Sequence, residues 1–200
     1  LLTIINDDVR RLDRLITDIS DASRLDAEMS RAKARPVAVG PLLAVLTEIH
    51  QATRQDGQPV MVTDVHDDTP EHPLTALAVE DRLVQVLRNL IGNAISFSPP
   101  NGQITLHAAA NGKMVRISVS DQGPGIPQAK LDSIFDRFYS ERPKSENFGQ
   151  HSGLGLSISR QIIEALHGSI AVENLHDRKG GISGARFIIE LPRVLSLPPR

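Results

Sequence analysis

LVQVLRNLIGNAISFS, residues 83–98, sets apolar side chains at Leu83, Val86, Leu87, Leu90, Ile91 and Ala94. Spacings of three and four gather them into one stripe of a helix. The helix is expected to begin upstream, at Leu74 in LTALAVEDR, and to end at Ser98. Asn89 and Asn93 lie four apart and therefore share a face. Asparagine is a mediocre helix former because its amide competes for backbone hydrogen bonds. Two of them beside an apolar stripe fit a structural polar pair. They also fit a neutral oxygen donor for Mg²⁺, which keeps several waters and takes other ligands from phosphates. Taken alone, the pair favours the structural reading.

Downstream, QITLHAAA-NG-KMVRISVSD reads as a β-hairpin, with both arms alternating and Asn111-Gly112 supplying the φ > 0 residues of a type I′ turn. Its second arm ends on Asp121 and runs into DQGPGI, residues 121–126. An aspartate at a strand end can accept a hydrogen bond from an exocyclic amine. Gly123 and Gly125 let the backbone approach a flat ligand with no Cβ in the way. In isolation the motif is equally a turn. AKLDSIFDRFY reads as a short helix, and a polar stretch runs from Ser140 to Ser152. SGLGLS, residues 152–157, opens a helix that stops at Gly168. Free N–H groups and the positive end of the dipole at such a start favour an anion, phosphate above all. A glycine-rich entry loop is the alternative. SIAVEN and GARFIIELP close the chain as strands.

Upstream, apolar residues at 2, 5, 9, 12, 16 and 19 form the a/d seam of a coiled coil or helical bundle, broadened by Leu1, Ile4 and Leu15. The alternative is an amphipathic helix packed on its own domain. The helix is expected to continue to Ala34, before Pro36, as an arm leading into a second unit. PVAV (36–39) and PVMVTDV read as strands flanking a helix that ends near Gly57. The whole is an α/β sandwich: one mixed sheet with helices on one face. Composition is that of an ordinary globular domain, with net charge −2, which does not suggest nucleic acid. No cysteine is present, excluding disulfides, thiolate nucleophiles and cysteine-ligated zinc. No apolar run reaches the roughly 20 residues of a membrane helix, and no signal peptide is visible. Because the first residue is not methionine, the chain is expected to be a piece of a longer protein.

Together the motifs are specific. NLIGNAISFS, DQGPGI, IFDRFY and SGLGLS follow one another in helix, strand-end, loop and helix-start contexts. Over residues 37–192 this resembles the catalytic, ATP-binding (GHKL, Bergerat-type) domain of bacterial two-component sensor histidine kinases. RFYSERP…HSGLGLSISRQI looks most like the acid- and envelope-sensing kinases of the ChvG/ExoS kind. The resemblance implies three segments. Residues 1–34 would be the second helix of the dimerisation and phosphotransfer hairpin, 35–192 the catalytic domain, and 193–200 a tail. It implies ATP and Mg²⁺ as cofactors, with a dimer partner through the N-terminal helix and a cognate response regulator as partners. A cytoplasmic location is implied for this part, within a membrane-anchored parent.

Carried over residue by residue, the resemblance makes Asn93 the Mg²⁺ ligand and Asn89 a neighbour of the phosphates and part of the catalytic apparatus. Asp121 would bind the adenine amino group, with Gly123 and Gly125 lining the base pocket and Phe97 and Ile126 also touching the cofactor. Phe135 and Phe138 would anchor a lid over residues 140–152, Phe138 also contacting nucleotide. Arg137 would hold the lid or reach the phosphates. Ser152, Gly153, Leu154, Gly155 and Leu156 would wrap the triphosphate.

Two departures stand out. Many family members carry Lys or Arg three residues after the metal-binding asparagine, where this chain has Ser96. Charge on the phosphoryl group must then be met by Mg²⁺ and by Arg137 or Arg142. The family's phospho-accepting histidine stands on the first bundle helix before an acidic residue, and none of the seven histidines fits that pattern. His151 falls in the expected lid. Hydrolytic relatives place a water-activating glutamate four residues before the metal-binding asparagine; here that position is Asn89, whose amide is no base. The reading is therefore a kinase, with a regulatory nucleotide binder or a GHKL-type ATPase as alternatives.

Overall fold

The computed structural model describes residues 32–66, 69, 73–137, 139 and 153–195. The expected bundle arm lies outside these residues, apart from Ala32–Ala34, which are not helical. Two layers form the domain. Strands β2 (Val60–Val65), β4 (Gln103–Asn111), β5 (Met114–Ser120), β6 (Ser169–His176) and β7 (Ile182–Pro192) make a sheet ordered β2-β4-β5-β7-β6. β2 runs parallel to β4 and the remaining pairs are antiparallel, so the sheet is mixed. Helices α1 (Val39–Thr53), α2 (Glu80–Phe97) and α3 (Gly155–Ala165) supply the second layer. Met61, Ile104, Leu106, Ile117 and Ile189 of the sheet form one buried cluster with Leu43, Leu87, Leu90, Ile158 and Ile162 of the helices.

Each helix is amphipathic as its sequence dictates. α2 buries the six residues of its apolar stripe, and Glu80 and Asp81 in its first turn complement the dipole. α1 buries Val39, Leu43, Thr47 and His50. His50 Nε2–H donates to the Pro59 carbonyl at 2.9 Å, a structural bond that ties the end of α1 to the entry of β2.

Four local expectations are corrected. Thr75–Ala78 are not helical but form β3, paired antiparallel with β1 (Arg35–Ala38) in a separate small sheet. Thr75, Ala76 and Ala78 are buried while Leu77 is exposed, so tertiary pairing has overridden the helix propensity of LTALA. The hairpin loop is Gly112-Lys113, because Asn111 pairs with Met114. Only Gly112 has positive φ (+61°), placing it at the first loop position of a type II′ rather than a type I′ turn. AKLDSIFDRFY contains two 3₁₀ turns, Gln128–Lys130 and Ser133–Phe135, in place of a helix. At the end of α3 the left-handed residue is His167 (φ 60°). Gly168 is needed because a Cβ there would overlap the Glu190 carbonyl. At the C-terminus, pairing continues past Pro192: Arg193 bridges Ala76, and Val194 N–H donates to Thr75 O at 2.9 Å.

Candidate functional site

α2 is the spine of the site. Asn89, Asn93 and Phe97 recur every four residues along one face, about 12 Å from first to last at 1.5 Å per residue. At the Phe97 end stands the 121–126 loop. A Cβ on Gly123 would lie 2.6 Å from the Phe97 carbonyl oxygen, so only glycine lets the loop seat against the end of the helix. At the Asn89 end stands the start of α3. Asn89 Nδ2 donates to Gly155 O at 3.2 Å and to Ser159 Oγ at 3.4 Å. Ser159 Oγ–H in turn donates to Gly155 O at 2.8 Å. A Cβ on Gly155 would be 3.6 Å from Asn89 Cγ, an ordinary contact. The three motifs, remote in sequence, therefore meet along one helix face, with Asn93 in the middle. Asn93 is half-buried and its side chain makes no hydrogen bond among the described residues, leaving its amide oxygen available.

Asp121 is 5 % exposed. Its Oδ1 accepts the Gly123 N–H at 2.8 Å and the Ala185 N–H at 3.2 Å. Both donors fall on the same oxygen, and Oδ2 has no donor among the described residues. Burial raises the carboxyl pKa above the ordinary 3.8, and the two backbone donors oppose the shift. The strand partner holds the aspartate closely: Asp121 N–H donates to Ala185 O at 2.9 Å. A Cβ on Gly184 would overlap the Asp121 carbonyl oxygen.

Gly125 has φ +73°, a conformation that favours glycine, and Gly153 at the entry to α3 has φ +72°. Leu154 is buried, and its carbonyl accepts Ile158 N–H and Ser157 Oγ–H, each at 2.9 Å. Leu156 is half-buried. Phe135 is buried, edge-on to Phe187 at 6.3 Å, with the Arg160 guanidinium 4.5 Å above its ring. Arg137 is exposed and has no hydrogen bond or ion pair among the described residues, so nothing joins it to α2 or α3. Phe138, Arg142, His151 and Ser152 lie outside the described residues.

Three positions went unread in the sequence. Asn174 on β6 clamps Ile126 from both sides, its Nδ2 donating to Ile126 O at 2.7 Å and its Oδ1 accepting Ile126 N–H at 2.8 Å. Asparagine is depleted in strands, which was the available signal. Gly184 inside β7 signals close backbone approach in the same way. Ser159 on α3 carried no signal, because a helical serine commonly bonds back to its own turn.

Comparison with known proteins agrees with this architecture. A family model described as "Histidine kinase-, DNA gyrase B-, and HSP90-like ATPase" matches residues 78–195. The chain is 49% identical over 195 residues to the sensor protein ChvG of Rhizobium meliloti, covering 96% of this chain and 34% of that protein. It is 48% identical to ChvG of Agrobacterium fabrum, covering 96% and 33%. The chain thus spans about a third of these curated relatives. Full-length ShkA in complex with AMPPNP superposes with a TM-score of 0.74 at 27% identity, over 99% of this chain and 39% of that one. Histidine kinase ThkA, solved with the response regulator TrrA, gives 0.72 at 27% identity, over 96% and 50%. The two solved structures share this chain's overall fold. The chain belongs to the histidine kinase-, DNA gyrase B- and HSP90-like ATPases, in the form of the histidine kinase ATP-binding domains.

Proposed function

We propose that the chain is the catalytic domain of a sensor histidine kinase, which binds Mg-ATP along α2 and transfers its γ-phosphoryl group to a histidine on a dimerisation hairpin. ADP leaves, and the histidine nitrogen carries the phosphoryl for relay to a response-regulator aspartate. The carrying observation is the line Asn89, Asn93, Phe97, which joins the Asp121 loop at one end to the glycine start of α3 at the other. Asp121 Oδ2, the oxygen without a donor among the described residues, takes the adenine amino group. Gly123 and Gly125 make room for the base beside Phe97 and Ile126. The N–H groups of Gly153–Leu156 face the phosphates, and the Asn93 amide oxygen suits Mg²⁺. When bound, the ion neutralises phosphate charge; the chain's own part is to orient the nucleotide.

Asn89 supports transfer over hydrolysis. It is an amide already engaged as a donor to Gly155, so it cannot abstract a proton from water. The segment before Ala32 completes the reading as the second hairpin helix, through which a second copy of the chain would join. ThkA was solved with a response regulator, which supports a partner of that class here. The relatives named sensor protein ChvG support a sensor as the parent protein, and the proposal adds that this parent is held at the membrane with the present domain in the cytoplasm.

Calorimetry with AMPPNP tests the site. One equivalent should bind in Mg²⁺ and bind much more weakly after chelation. Asn93→Ala should abolish the Mg²⁺-dependent part; an unchanged affinity would remove Asn93 from the metal site.

A further inference from the structure

A second cluster of metal-ligating side chains lies on the sheet, away from α2. Thr63 of β2 faces the helices, since its Oγ1 is 2.6 Å from Thr47 Oγ1 of α1. Asp64, the next residue, therefore points to the open face. His107 of β4 sits between buried Leu106 and Ala108, so it points the same way, and it is the register partner of Asp64. His66 N–H donates to Ala108 O at 2.8 Å, which prolongs the parallel ladder and returns the His66 side chain to the face of Asp64.

One ligand atom from each of Asp64, His66 and His107 can be chosen so that all lie within 4.8 Å of one another. His66 Nε2 is 3.0 Å from Asp64 Oδ1, and the two imidazole rings lie 5.3 Å apart at 42°. A bare ion pair between exposed His66 and Asp64 would leave His107 without a part in the cluster. Two imidazoles and one carboxylate are the donor set of a zinc-type ion with an open fourth position, not of Mg²⁺ or Ca²⁺, which prefer oxygen throughout.

We propose that Asp64, His66 and His107 form a binding site for a divalent transition-metal ion of the zinc, nickel or copper kind, which staples edge strand β2 to β4. The site is distinct from the nucleotide site in both face and donor chemistry.

Zinc is the probe, added to chelator-treated protein without nucleotide. Calorimetry should show one equivalent bound, and zinc should raise the thermal midpoint because it binds the folded chain. His66→Ala and His107→Ala should each weaken binding by at least the roughly 10–100-fold that loss of a mere outer-shell partner costs. The double variant should bind none and gain no thermal shift. Asp64→Asn, a nearly isosteric change, should weaken binding without altering the metal-free midpoint, which keeps the test independent of folding. His176→Ala, at an exposed histidine elsewhere, should change nothing. The proposal is overturned if the parent protein takes up no zinc, if the double variant binds with the parent's stoichiometry and affinity, or if His176→Ala costs as much as His66→Ala.

Discussion

Asp121→Asn separates the two jobs of one carboxylate. Oδ1 holds the loop by accepting Gly123 N–H at 2.8 Å and Ala185 N–H at 3.2 Å, and an asparagine carbonyl oxygen can accept both in its place. The amide nitrogen then occupies the position of Oδ2, so an acceptor becomes a donor with almost no change of shape. The fold should persist. Burial disfavours the native carboxylate, so the neutral amide should leave stability at neutral pH unchanged or raised. Adenine, whose amino group donates, should lose a charge-assisted bond of about 1.5–3 kcal/mol. That corresponds to roughly 10- to 150-fold in Kd, with a further loss from opposing two donors. A 6-oxopurine nucleotide offers an acceptor at the same place, so ITP should lose far less and approach or overtake ATP. Calorimetry with ATP and ITP, beside urea unfolding of both proteins, reads every part of this. An Asp121→Asn protein that unfolds like the parent yet binds ATP within about twofold of it would refute the assignment of Oδ2 to the base.

Other perturbations probe the scaffold around the pocket. Asn174→Ala removes two hydrogen bonds to Ile126, each contributing about 0.5–1.5 kcal/mol, and should loosen the 121–126 loop. ATP affinity should fall several-fold more than the urea midpoint suggests; equal affinity in a stable variant would show that the clamp does not position the loop. Gly184→Ala drives a methyl into the Asp121 carbonyl and should cost about 3 kcal/mol or more of stability, beyond ordinary overpacking, as read by urea denaturation. The raised Asp121 pKa fixes a pH dependence. The folded chain holds this proton more tightly than the unfolded one, so the group's contribution is fully present below pH 3.8 and is lost as pH rises through the raised value. Comparing parent and Asp121→Asn stability across that range should show the parent alone losing this increment. ATP affinity of the parent should move the opposite way, falling as the carboxylate is protonated.

Much of the candidate site is legible in the sequence because its residues break local rules. Asparagines beside an apolar stripe, glycines after a strand and glycines opening a helix all sacrifice propensity, and such sacrifices mark sites. What sequence could not show was their meeting: Asn89 and Gly155 are 66 residues apart, and their hydrogen bond exists only because α2 and α3 pack together. The helix expected from Leu74 failed for a related reason. LTALA has helical propensity, but β1 offers Thr75–Ala78 a pairing edge that no local signal announces. The hairpin turn slipped by one residue because Asn-Gly suggests a two-residue loop, whereas here Asn111 closes the ladder and Gly112 begins the loop. Asn174 reads locally as one polar residue in a strand, although its side chain holds Ile126 in the 121–126 loop.

Phosphoryl transfer is the most direct test of the whole account. The chain would be mixed with γ-labelled ATP, Mg²⁺ and a separately produced, histidine-bearing phosphotransfer hairpin. Label should appear on the hairpin in an acid-labile, base-stable form, as expected of phosphohistidine, and should be absent with Asn93→Ala. Label released only as inorganic phosphate, at a rate comparable to ATP consumption, would make this chain a hydrolase and contradict the reading.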